Sequence, residues 1–288
     1  MTMVNPLKKA FLPLCACIML GSVFVSAPSA AQQGTQASKK SAGEKYSDCM
    51  TLVRTQPKRA VSMALTWQNS DGGTPARHCE ASGLFALGKY RPAGLMLDRV
   101  AKDMRVGKDM PIINGVRQTA TQGLLAEVYL QSATAWFRAK DWVMAISAAD
   151  LAVASANKTS STYFDSLMIR AQIMASDEDY QSAFDDLTQL KTEYPDNQDI
   201  LLMYAAAGRM IKKYNLALEA LTQILIKDTD NLTALLERGN LFDSMGKTKE
   251  AREDWLKIIG LDETSVQATS AQRNLQDSLL KQQKTMMK

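Results

Sequence analysis

The sequence predicts an all-α protein, a stack of antiparallel helix pairs, and three observations carry that expectation. One short phrase recurs five times: a charged tip, usually an aromatic residue, then an alanine three positions on. It reads KKYNLALEAL at 212–221 and returns as DEDYQSAFDDL, AKDWVMAISAA, LGKYRPAGLML and MGKTKEAREDW. In three consecutive copies the alanines after the tip, Ala183, Ala217 and Ala251, stand 34 residues apart each time. Around the tips, apolar residues return every three or four positions, the spacing of an amphipathic helix. A fixed period of this length marks supersecondary units that cannot bury their apolar faces alone and so stack on one another.

The elements follow in order. Residues 1–31 read as a secretory signal peptide: MTMVNPLKK is its basic start, AFLPLCACIMLGSVFVSA its apolar core, and cleavage is expected after Ala31. An uncleaved membrane anchor is the alternative, made poorer by Pro13, Gly21 and the small residues near its end. Lipoprotein processing at Cys17 fits badly, because the apolar run continues beyond that cysteine. Residues 32–43 are polar and form a flexible leader. No later apolar run is long enough to cross a bilayer. The chain is therefore expected to be exported, periplasmic or secreted, with no membrane insertion once the signal is removed.

Residues 44–73 form an abbreviated helical unit, with Ala60 and Trp67 in second-helix slots. The array spans 74–265, in frames 74–107, 126–159, 164–197, 198–231 and 232–265. A loop insertion is expected from about 108 to 116, and a four-residue insertion after 159. Within the array, Thr74 and Pro75 open a helix as cap and first-turn proline, and Pro195, Asp196 and Asn197 end one unit and cap the next helix. Asp230 and Asn231 repeat that a period later. Residues 266–288 form a polar-faced C-terminal capping helix.

Position eight of the frames carries Ala81, Ala133, Ala171, Ala205 and Gly239, and position twenty carries Ala93, Ala145, Ala183, Ala217 and Ala251. Small side chains at both positions let the two helices of a unit, A and B, approach to roughly 8–10 Å. Position seventeen, Tyr90, Trp142, Tyr180 and Tyr214, fills the wedge beside the turn, and Thr248 breaks the rule. This pattern resembles the tetratricopeptide-repeat family, a 34-residue helix–turn–helix with small residues at eight and twenty and proline near thirty-two. Two departures stand out: only Pro195 occupies the proline position, and tryptophan is missing from position four.

The resemblance implies an inner surface lined by A helices that binds peptide segments of other proteins. On this sequence the apolar residues at its positions five and six are Leu130, Met168, Ile169, Leu202, Met203 and Leu236. Positions twelve and thirteen add Phe137, Arg138, Arg209, Met210 and Asp243. Asn240 alone fits the family's carboxylate-holding pattern, so a free carboxyl terminus is not the expected ligand. Two readings stay open: an apolar, methionine-bearing partner groove with Arg138 and Arg209 on it, or side chains that merely pack between neighbouring helices.

Without the signal segment two cysteines remain, Cys49 and Cys79, in the middle of A helices of successive units. In an exported protein such a pair is expected to form a disulfide. His78 is the only histidine and is expected on a helix surface near the groove. A Cys49–His78–Cys79 metal site lacks a fourth ligand and the usual paired spacing. No phosphate-binding glycine loop, paired-histidine helix or nucleophile elbow is present. The carboxylates of SDEDYQSAFDD are expected on solvated faces. The expectation is a non-enzymatic scaffold without cofactors, and its oligomeric state is not readable.

Composition agrees. The chain is 46% hydrophobic and 22% charged, ordinary for a globular protein. The formal charge of +4 falls to about +2 without Lys8 and Lys9, too little and too mixed in sign for a nucleic-acid partner.

Overall fold

A computed structural model describes residues 40–109 and 112–286. The signal-peptide expectation and residues 32–39 of the leader lie outside the described residues. Helices dominate the rest, in pairs. The first pair is α1 (Ala42–Thr55) and α2 (Pro57–Gln68), the second α3 (Gly73–Ala86) and α4 (Tyr90–Arg105), the third α5 (Gln122–Arg138) and α6 (Trp142–Ser155). Three more follow: α7 (Ser161–Ser176) with α8 (Tyr180–Glu193), α9 (Gln198–Met210) with α10 (Tyr214–Lys227), and α11 (Leu232–Ser244) with α12 (Thr248–Leu261). A single helix, α13 (Val266–Met286), ends the described chain and packs on α11 and α12.

The boundaries follow local chemistry. Ser41 caps α1 in a reciprocal capping box with Glu44, so residues 42–43, expected in the leader, already belong to a helix. Asn197 and Asn231 accept hydrogen bonds from Asp199 and Ile200, and from Ala234, capping α9 and α11 where the sequence placed those caps. Thr74 does not cap. It is buried, and its hydroxyl donates to the carbonyl of Lys108 (3.1 Å), tying the start of α3 to the turn after α4. Two helices begin earlier than the frames implied: α5 at Gln122 and α7 at Ser161, each after a capping hydroxyl, Thr121 and Ser160.

The A-to-B turns of the five frames close identically. Position fifteen is left-handed in all five frames, at Gly88, Lys140, Glu178, Lys212 and Gly246. The next amide then donates back to position eleven: Lys89 to Leu84, Asp141 to Trp136, Asp179 to Met174, Lys213 to Gly208 and Lys247 to Phe242, at 2.8–3.0 Å. This closure satisfies the orphan carbonyls of helix A and reverses the chain at once.

The expected insertion after α4 is not featureless. It holds a two-stranded antiparallel hairpin, β1 (Ile112–Ile113) and β2 (Val116–Arg117). Asn114 and Gly115 turn it, both at positive φ, as the tightest hairpin turn requires. The insertion is tied back by Ala120, whose amide donates to the Met104 carbonyl (3.1 Å).

Packing follows the small positions. All five alanines at position twenty, and Ala81, Ala133, Ala171 and Ala205 at position eight, are fully buried. At the fifth position-eight site glycine is required. A Cβ on Gly239 would stand 2.5 Å from Nε1 of Trp255, a buried indole on α12.

Two units add a polar clamp that the hydrophobic pattern hides. Arg170 grips Asp186 through a two-pronged hydrogen bond, 2.8 and 2.6 Å, and Arg238 grips Asp254 at the same distances. In both, position seven of helix A holds position twenty-three of helix B. Asp186 lies in the SDEDYQSAFDD stretch expected to be solvated, yet it is buried. A planar guanidinium and a carboxylate match in shape, and this is what makes so low an exposure tolerable. The Arg170 guanidinium, held chiefly by Asp186, is pushed above its usual pKa.

Candidate functional site

The A helices lie beside one another along the array: α1 along α3, α5 along α7, α9 along α11 and α11 along α13. The α3–α5 and α7–α9 neighbours meet only sparsely. Two cavities open on this A-helix face, one toward each end.

The first lies between α1, α3 and α5 and holds about 450 Å³. Its walls are mostly apolar, with Met50, Pro75, Met104, Leu124 and Val128 among them. A polar chain crosses it from helix to helix. Tyr46 meets Nδ1 of His78 at 2.8 Å, and Nε2 of His78 meets Oε1 of Gln131 at 2.7 Å. With the carbonyl oxygen of Gln131 facing the ring, Nε2 donates to it. In the neutral imidazole Nδ1 then accepts from the tyrosine hydroxyl. Burial pushes the His78 pKa below its ordinary value, which favours the same form. Burial also raises the Tyr46 pKa, so that hydroxyl keeps its proton.

Cys49 and Cys79 lie just behind this wall. They are joined as a disulfide with Cα atoms 6.2 Å apart, and both are fully buried among Ala60 and Ala64. The bond ties α1 to α3, the two helices that present Tyr46 and His78.

The second cavity, about 430 Å³, is polar and lies where α9, α11 and α13 meet, with Trp255 of α12 at its wall. Arg209, Asn240, Asp243 and Asn274 line it. Three of its charges are paired within the protein: Arg209 bonds Glu237 (2.6 Å) and Lys281 pairs with Asp243 (3.0 Å). Asn274 donates to Asn240 (2.8 Å).

No protein-family model and no curated protein matches the sequence. Solved structures match in shape. MamA from Desulfovibrio magneticus RS-1 (residues 41 to the end) superposes with a TM-score of 0.53 at 13% identity, over 70% of this chain and 97% of that one. YrrB, described as a TPR protein with an unusual peptide-binding site, gives 0.53 at 12% identity, over 76% and 98%. The TPR-like repeats of a Podosopora anserina kinesin light chain give 0.53 at 14%, over 64% and 92%. The fold is that of a tetratricopeptide-repeat solenoid.

In this tetratricopeptide array most of the expected groove residues pack rather than project. Leu130, Met168, Ile169, Leu202, Met203 and Leu236 are half-buried against the core clusters. Phe137 lies against Trp142, ring centroids 5.8 Å apart, and supports the turn. Arg138 reaches over the ring of Tyr90 and donates to its hydroxyl (3.3 Å). Met210, at 45%, and Arg138 are the members left exposed. The continuous apolar strip is therefore reduced, and the better-formed apolar cavity sits at the other end, on residues outside that set. Tyr46, Glu127 and Gln131 had no place in the sequence expectation, although Gln131 occupies position six of its frame. His78, expected on a helix surface near the groove, lines this cavity and is hydrogen-bonded at both ring nitrogens.

Among the described residues no cluster of histidine, cysteine or carboxylate side chains could hold a metal ion, and no helix is long and apolar enough to cross a membrane.

Proposed function

We propose that this chain is a non-enzymatic interaction scaffold of the cell envelope, exported by its N-terminal segment, that holds a segment of another protein against its A-helix face. One observation carries the reading: the array leaves two cavities of side-chain dimensions between successive A helices, one apolar and one polar. Cavities of this size accept one or two side chains of a bound segment, with the surrounding face supplying further contact. The peptide-binding site in YrrB's description supports a peptide as the kind of ligand. Most titratable groups of the face, Tyr46, His78, Arg209, Asp243 and Lys281 among them, are engaged in structural hydrogen bonds and ion pairs, which suits shape recognition rather than catalysis.

A second reading is a membrane-tethered assembly factor retained by the same N-terminal segment. Mass spectrometry of the mature N-terminus separates the two, since a start near Gln32 excludes that tether.

The scaffold reading is tested by affinity capture from the native envelope with variants at each end of the face. Leu124 and Met210 are both exposed, so Leu124→Glu and Met210→Glu leave the core intact. At least one is expected to lower partner recovery about tenfold, the effect of burying one charge in an apolar contact. Recovery unchanged by both, but abolished by Val143→Glu on the B helix α6, would refute the assignment.

A further inference from the structure

The cavity between α1, α3 and α5 has a chemistry specific enough to name its ligand. Resting on the scaffold reading, we propose that it takes a bulky apolar side chain of a partner segment that carries a lysine or arginine within one helical turn. Three observations on the lining residues lead there.

The polar groups of the lining are almost all satisfied within the protein. Tyr46, His78 and Gln131 bond one another, and Thr74 is bonded to the Lys108 carbonyl and to Arg77. A ligand therefore meets an apolar cup of methionine, leucine, valine and proline, with no buried side-chain donor or acceptor left unmet in its lining. Thioether side chains adapt to the shape that enters.

Glu127 is the exception. It is exposed, is the only formally charged residue in the lining, and has no hydrogen-bond or ion-pair partner among the described residues. An unpaired carboxylate on the rim of an apolar cup selects a cation beside the apolar anchor, and sets orientation and on-rate more than raw affinity.

The cup also has a built opening. The α3–α5 pair is sparsely packed, α5 begins one turn early, and Gly43 of α1 lines the mouth without a side chain. A Cβ on Gly43 would meet nothing within 4 Å, so a larger residue there narrows the entrance without straining the fold.

The test uses fluorescein-labelled helical peptides in an alanine- and glutamine-rich background, titrated against the mature, oxidised protein by anisotropy. One peptide pairs phenylalanine with lysine one turn away. A second replaces that lysine with glutamate, and a third replaces the phenylalanine with alanine. The first is expected to bind tightest, by about tenfold over each of the others. Glu127→Lys is expected to reverse the preference between lysine and glutamate peptides, and Gly43→Leu to weaken all binding. A charge preference unmoved by Glu127→Lys, or binding indifferent to Gly43→Leu, overturns the proposal. Binding lost in Met210→Glu instead would refute this cavity while leaving the scaffold reading in place. Peptides that fail to bind anywhere, with native capture empty as well, would overturn both.

Discussion

Replacing Asp254 with alanine is expected to lower stability by about 3 kcal/mol, the low end for breaking a buried ion pair, because Arg238 keeps some solvent. The carboxylate is nearly inaccessible and takes both prongs of the Arg238 guanidinium. Removing it leaves a cation between α11 and α12 with no protein acceptor and only partial access to water. Asp186→Ala should cost less, since Arg170 retains Asp150 at 3.0 Å. The double variant Arg238→Met, Asp254→Leu should recover most of the loss, because apolar residues of similar volume carry no desolvation penalty. Chemical denaturation of the three variants checks this. A loss below about 0.5 kcal/mol for Asp254→Ala would mean the clamp is a surface pair in energetic terms.

The second large effect is expected at the disulfide. Reducing Cys49–Cys79, or replacing both with alanine, should cost about 3–4 kcal/mol, the chain entropy restored by opening a loop of roughly thirty residues. In a stacked array that loss falls first on the terminal unit, which has a neighbour on one side only. Amide exchange in α1 and α2 should therefore rise well before that in α9–α12. Alkylation of the native, non-reduced protein should label neither cysteine, and reduction should release both. Free thiols in the unfolded, unreduced protein would rule out the bond.

Much of the architecture was legible in the sequence because its strongest signal is steric. Two helix backbones approach closely only where side chains are small, and Ala183, Ala217 and Ala251 repeat that requirement at constant spacing. The asparagine caps were legible for a similar reason, since Asn197 and Asn231 act on amides only two or three residues away. What escaped involved partners chosen from many. The Arg170–Asp186 and Arg238–Asp254 clamps join positions sixteen residues apart, and only two of the five frames carry them. Elsewhere the same two positions hold Tyr204 with Ala220, or Ser132 with Ala148, so no periodicity announces the pair. The hairpin at 112–117 did leave a signal, Asn-Gly flanked by isoleucine and valine, hidden by the helical phase on both sides.

The candidate site was the least legible part. Positions five and six looked like a groove because both are apolar, but apolar residues at adjacent positions also pack between neighbouring helices, and here they do. The usable cavity depends instead on the spread between α3 and α5. That spread lies beside the insertion and the early start of α5, and neither follows from the 34-residue phase.

The central claim is that this solenoid engages its partner through the A-helix face. The direct measurement is in-cell photo-crosslinking with benzoyl-phenylalanine at four exposed positions, Gln131 and Met210 on A helices, Val143 and Ile226 on B helices. The account predicts a protein adduct from at least one A-helix position and none from Val143 or Ile226. Adducts confined to the B-helix positions would contradict it.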